Sequence, residues 1–151
     1  MGMTVSANTL RNWLKKGKVY LDKLVESLKE VALEKDSVVN CDETWCKVRK
    51  YDHYKKCYIW VLVNKAESYP IDNNAAERAV RPLTTQRNSM LHFGSDEGAK
   101  MAATYHSIIS TVKLQGRSAW DYLGKFFVNI FNGCRDFFNL RPGNIGLATC
   151  Q

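Results

Sequence analysis

Apolar residues recur at helical spacing over residues 8–34, where Leu10, Trp13, Leu14, Leu21, Leu24, Val25, Leu28 and Val31 form one stripe. The pattern predicts a long amphipathic helix, with Ser6, Asn8 or Thr9 as its cap and Gly17 as a weak point. From Ser37 the pattern changes to strand. Residues 37–41 and 44–48 are short and partly β-branched, and residues 51–55 are polar and turn-like. Cys57–Val63 is continuously apolar, as in a strand buried on both faces. Short connections between these runs predict an antiparallel meander of about three strands near residues 37–63.

After residue 64 the strand pattern stops. Residues 64–70 read as a loop, and Asp72 or Asn73 as the cap of a helix that ends near Arg81, before Pro82. Ser95 or Asp96 opens a helix to Leu114, which Gly116 ends. Ser118-Ala-Trp-Asp121 resembles a capping box with Asp in place of Glu or Gln. The helix it starts packs Tyr122, Leu123, Phe126, Phe127, Ile130 and Phe131 and closes at Gly133. Trp13, Trp45, Trp60 and Trp120 hold positions that suit a core, and His106 reads as a packed, hydrogen-bonded residue. The tail after Asp136 is irregular. The class is α+β in a single domain over residues 1–151, with a helix and strands in 1–67 and a helical part in 68–151.

Composition narrows the class. With 45% hydrophobic and 25% charged residues the chain has a core and is not globally disordered. A net charge of +7 favours a polyanionic partner, because neutralising phosphates releases counterions. The five cysteines are odd in number and match no small disulfide scaffold, which implies reduced thiols and a cytoplasmic location. No apolar run reaches membrane-spanning length, and residues 1–10 lack a signal-peptide pattern.

Two carboxylates stand out. Asp42 sits at the end of an apolar strand, a place from which Asp can hold a divalent metal through hard oxygen ligands. Glu77 falls one turn into the helix after residue 72, beside Arg78 and Arg81, which share a face. Carboxylate beside guanidinium suits phosphodiester chemistry, acid for metal and arginine for phosphate. A strand-to-turn Asp and a surface Glu–Arg lattice are the structural alternatives. Cys41, Cys46, His53 and Cys57 supply four soft ligands, but at no standard zinc spacing.

Asp72-Asn-Asn-Ala-Ala-Glu-Arg-Ala-Val-Arg-Pro-Leu83 resembles the C-terminal catalytic motif of insertion sequence 66 family transposases. Arg87-Asn88, Phe93-Gly-Ser-Asp96, Ala102–Ile108 and Gly116–Leu123 follow the same order, and Phe137–Gly146 resembles the C-terminal extension of one branch. Upstream, Ser6–Trp13, Cys41-Asp-Glu-Thr-Trp45 and Tyr58-Ile-Trp60 also match. The resemblance implies a ribonuclease-H-like fold of the DDE type, double-stranded DNA at the element ends as partner, and Mg²⁺ or Mn²⁺ as cofactor. It makes Asp42 the first catalytic Asp and Glu77 the catalytic Glu, both metal ligands, and it places Arg78, Arg81, Arg87 and Lys100 on DNA.

One departure is large. In the family a long segment carrying the second catalytic Asp separates the Tyr-Ile-Trp strand from the Asp-Asn-Asn motif. Here Lys65-Ala-Glu67 runs almost directly into Tyr69-Pro-Ile-Asp72, which puts the junction of an internal deletion near Glu67–Ser68. The family's N-terminal zinc-finger-like and helix-turn-helix regions are also missing, as is a Lys usual between Arg87 and Asn88. Losing a metal ligand costs more than the ~10–100-fold of losing its support, so catalysis is expected to be impaired. A strand left without neighbours offers an open edge, which predicts self-association or poor solubility, and the helices around Arg78, Arg81, Arg87 and Lys100 offer a surface for DNA or for a full-length transposase. A non-catalytic DNA-binding fragment and a non-functional element remnant stand as alternatives.

Overall fold

The computed structural model describes residues 4–34, 37–65, 74–90 and 92–145, the side chains at 65, 75 and 90 excepted. The Glu67–Ser68 junction, the loop expected around it and the candidate caps Asp72 and Asn73 lie outside the described residues. The element order is α1 (Ala7–Ala32), β1 (Val38–Lys50), β2 (His53–Lys65), α2 (Asn74–Met90), α3 (Asp96–Leu114) and α4 (Ala119–Phe131).

The class is α+β, as expected, but among the described residues the sheet has two strands and not three. β1 and β2 form one antiparallel hairpin in unbroken register from Val38↔Lys65 to Lys50↔His53. Asp42 and Glu43 carry no Gly or Pro to turn the chain, and pairing with Val61 and Trp60 holds them extended. The turn contracts to Tyr51–Asp52, so residues 53–55 already belong to β2. Phe93 adds a single parallel bridge beside Val48, donating its N–H to the Lys47 carbonyl and accepting from the Arg49 N–H, both at 2.8 Å.

Successive strand side chains alternate between faces. Thr44, Cys46 and Val48 point to one side and are buried. α2 packs on the hairpin, and its residues Ala76, Val80 and Leu83 are buried at the i, i+4, i+7 spacing of one helical stripe. Burial on both faces was expected for Cys57–Val63 and does not occur. Cys57, Ile59, Val61 and Val63 are half-buried, and the alternating Tyr58, Trp60 and Leu62 are exposed.

α2 also runs through Pro82, where its end was expected. Stopping at Arg81 would strand Leu83, whose burial is worth roughly 1.5–3 kcal/mol. That gain is comparable to the ~3 kcal/mol cost of an interior proline. Pro82 and Arg78, whose carbonyl loses its helical donor, are both exposed, so water can replace the missing bond.

The other helix ends follow the sequence signals. Ser6 caps α1, its Oγ accepting the Thr9 N–H at 3.1 Å, and Gly17 does not break that helix. Ser95 Oγ accepts the Gly98 N–H at 3.1 Å at the start of α3, and Ser118 Oγ accepts the Asp121 N–H at 3.3 Å at the start of α4. α3 ends at Gly116, φ 68°, whose N–H bonds the Lys113 carbonyl while that of Arg117 bonds Val112. α4 ends the same way at Gly133, φ 92°, with Cys134 bonding back to Asn129. Both are Schellman motifs, which need the left-handed backbone that glycine adopts most easily.

The chain forms two compact units, residues 1–28 with 107–151 and residues 29–106. The second contains the hairpin and α2. The first has a core of Leu21, Leu24, Ile108, Val112, Tyr122, Phe126 and Ile130. Its tail is irregular but firmly seated. Leu140, Arg141 and Pro142 are buried, the Tyr122 hydroxyl donates to the Leu140 carbonyl at 2.7 Å, and Arg117 donates to the Pro142 carbonyl. Burial raises the Tyr122 phenol far above its ordinary pKa, so the hydroxyl stays a donor.

Candidate functional site

Asp42 lies on the face of β1 that also carries Thr44, Cys46 and Val48, and it is half-buried. Its Oδ1 accepts the Glu43 N–H at 2.8 Å. It stands within the strand, opposite Val61, and not at a strand end as the sequence suggested. Glu77 is exposed in the first turn of α2, the helix that packs on the hairpin. The fold thus sets both carboxylates on elements that pack together. Among the described residues, no three His, Cys, Asp or Glu side chains gather where they could hold a metal ion.

The four basic candidates divide. Arg78 and Arg81 are exposed on α2, and Lys100 is exposed on α3. Arg87 extends the buried stripe of α2 by one more turn, and the hairpin engages its guanidinium. That group donates to Thr44 Oγ1 and to the Trp45 carbonyl, both at 3.3 Å, and lies 4.5 Å from the centre of the Trp45 ring. Arg87 is therefore a packing residue as well as a cation.

The soft-ligand set does not assemble. Cys41 and Cys46 are five residues apart on β1, so they face opposite sides, and Cys41 is exposed while Cys46 is buried. Cys46 pairs with Cys57 across the hairpin, and burial raises its thiol pKa, with Cys57 adding to the effect. Cys41, Cys46 and Cys57 are free thiols. His53 sits at the turn, 2.9 Å from Asp52 Oδ1. His106 is part-buried and bonds Gln86 Oε1, the packed role its sequence context implied.

All four tryptophans are exposed, not in a core: Trp13 48%, Trp45 37%, Trp60 63% and Trp120 86%. For Trp45 and Trp60 the cause is strand parity, because odd positions of β1 and even positions of β2 point away from α2. Read along the strands, the alternation Trp45, Lys47, Arg49 and Tyr54, Lys56, Tyr58, Trp60 was the available signal. It was masked by the continuously apolar look of Cys57–Val63. Lys56 Nζ lies 5.5 Å from the Trp45 ring centre and 5.2 Å from that of Tyr58. A separate cleft, lined by Arg117, Asp121, Lys125 and Gly143 among others, contains none of the candidate residues.

The model of the Transposase IS66 family matches residues 1–69 and 65–101. The chain belongs to the IS66 family of transposases. The two matched segments meet at residues 65–69, and residues 102–151 lie outside the match. The chain is also similar to the uncharacterized protein y4qI of Sinorhizobium fredii (strain NBRC 101917 / NGR234). The two are 36% identical over 63 residues, a stretch that covers 42% of this chain and 12% of that protein. No solved structure matches the chain significantly. No described helix is long and apolar enough to cross a membrane.

Proposed function

We propose that the chain is a shortened IS66-type transposase catalytic region that holds DNA but lacks a complete centre for cutting and joining it. The observation that carries this is the two-part family match, whose segments meet at residues 65–69. Lys65-Ala-Glu67 runs into Tyr69-Pro-Ile-Asp72 at that point, where the family's second catalytic Asp would be supplied. On this proposal the hairpin and α2 are the retained part of a ribonuclease-H-like fold. Asp42 descends from the first catalytic Asp and Glu77 from the catalytic Glu. Arg78, Arg81 and Lys100, all exposed, meet phosphate.

Asp42 and Glu77 offer the hard oxygen donors that Mg²⁺ or Mn²⁺ prefers. Two-metal phosphoryl transfer needs more. The described residues hold no cluster of three donors, so they do not fit a two-metal centre. The retained activity is then DNA binding dominated by phosphate contacts, its affinity falling steeply with salt.

The test is a Mg²⁺- or Mn²⁺-dependent nicking assay on the element's terminal repeats, paired with a gel shift across a salt series. Salt-sensitive binding without nicking is expected. Robust nicking abolished by Glu77→Ala would overturn the proposal.

A further inference from the structure

We propose that the face of the β1–β2 hairpin turned away from α2 binds single-stranded DNA. Its open rings are Tyr54, Tyr58 and Trp60, exposed by 54, 52 and 63%, with Trp45 beside them at 37%, its ring already carrying the Arg87 guanidinium at 4.5 Å. Lys47, Arg49 and Lys56 share the face and are exposed, and Glu43 is its acid. The register sets Trp45 opposite Tyr58, Arg49 opposite Tyr54 and Lys47 opposite Lys56, so rings and cations interleave along the hairpin. The Lys56 ammonium sits within 5.5 Å of two ring centres. A phosphate held by that ammonium would have its base beside a ring.

Charge and shape select the occupant. A base can stack on an exposed ring only when its own face is free, which holds in a single strand and not inside a duplex. Aromatic platforms lined with cations bind single strands in this way, with little sequence preference. A second copy of the chain docking through this face would bring Lys47, Arg49 and Lys56 against their like, with only Glu43 to offset them. Membership of a transposase family selects DNA. Beyond that choice the surface is independent of the catalytic proposal, because it contains neither Asp42 nor Glu77.

The test titrates the intact chain, without divalent metal, with a labelled thymidine oligonucleotide of about 15 nucleotides and with a duplex of equal length. Anisotropy and tryptophan fluorescence are read together, and far-UV circular dichroism confirms that each variant is folded. The single strand is expected to bind more tightly than the duplex and to quench tryptophan emission. Trp60→Ala is expected to lose about 5- to 100-fold in affinity, with Trp60→Phe retaining most of it. Reversing Lys47 and Lys56 to Glu should weaken binding and flatten its salt dependence. Trp120→Ala, on α4, should bind as the parent does. Duplex binding that Trp60→Ala weakens as much as it weakens single-strand binding would overturn the proposal, as would parental single-strand affinity in both Trp60→Ala and Tyr58→Ala. So would a Trp60-dependent dimer in light scattering that ignores the oligonucleotide. The nicking assay reads a different site on a different substrate, so each proposal can fail without the other.

Discussion

The Arg87 guanidinium lies 4.5 Å from the centre of the Trp45 ring and donates to the Trp45 carbonyl at 3.3 Å, so one side chain ties α2 to β1. Arg87→Ala removes a cation–π contact and two donor contacts, and should cost about 1–2 kcal/mol in urea unfolding. Arg87→Lys keeps the charge but not the planar fork, and should recover only part of this. Full recovery by lysine would reduce the tie to simple charge.

Pro82 invites the opposite change. It is exposed within α2, and its ring removes one helical hydrogen bond. Pro82→Ala should raise stability by about 1–3 kcal/mol, seen as a higher urea midpoint with an unchanged slope. A loss would mean that a bend at Pro82 is needed to seat Leu83.

The two Schellman glycines should be costly to replace although nothing lies within 4 Å of an added Cβ at either site. At Gly116→Ala or Gly133→Ala the penalty is backbone strain alone, about 1–2 kcal/mol each. The sites are independent turns, so the double variant should be additive in thermal unfolding.

The Lys50–Asp96 pair gives an acid dependence. The hydrogen bond from Lys50 holds the Asp96 carboxyl below its usual pKa, and the same bond raises Lys50. A depressed carboxyl contributes stability that is present above its unfolded pKa and is lost as pH falls through the folded value. The Lys50 share is lost only as pH rises beyond the usual lysine range. Stability should therefore drop below the usual carboxylate range, and Asp96→Asn should remove that part of the drop in a pH series of urea melts.

Phe126 and Phe131 separate core from surface on a single helix. Phe126 is fully buried and Phe131 is 81% exposed. Truncation to Ala should cost about 3–5 kcal/mol at Phe126 and within about 0.5 kcal/mol at Phe131. Equal costs would show that Phe131 is covered in solution.

The helix ends were legible because their signals are local. A serine whose oxygen reaches an N–H three residues on, or a glycine free to turn left-handed, acts within one turn of chain. Ser6, Ser118, Gly116 and Gly133 were readable for that reason. Asp42 and Glu77 were singled out through the motifs around them, and no local pattern could fix their separation. The hairpin was harder. Whether Asp42-Glu43 turns or stays extended depends on Val61 and Trp60, which lie far along the chain, and whether Trp60 is covered depends on which face α2 takes. The continuation of α2 past Pro82 was hidden for the same reason, since the burial of Leu83 is a tertiary gain that local propensity does not contain.

The unbroken pairing from Lys50↔His53 outward has a consequence in time. Every rung joins residues separated only by the rungs already formed, so the ladder can zip from the Tyr51–Asp52 turn on the microsecond scale of isolated hairpins. α2 has no surface on which to lay Ala76, Val80 and Leu83 until that ladder exists. The hairpin is thus the template, and the docking of α2 on it the later step. Slowing the turn should slow both the hairpin and the docking of α2, whereas weakening α2 should leave the hairpin's own rate unchanged.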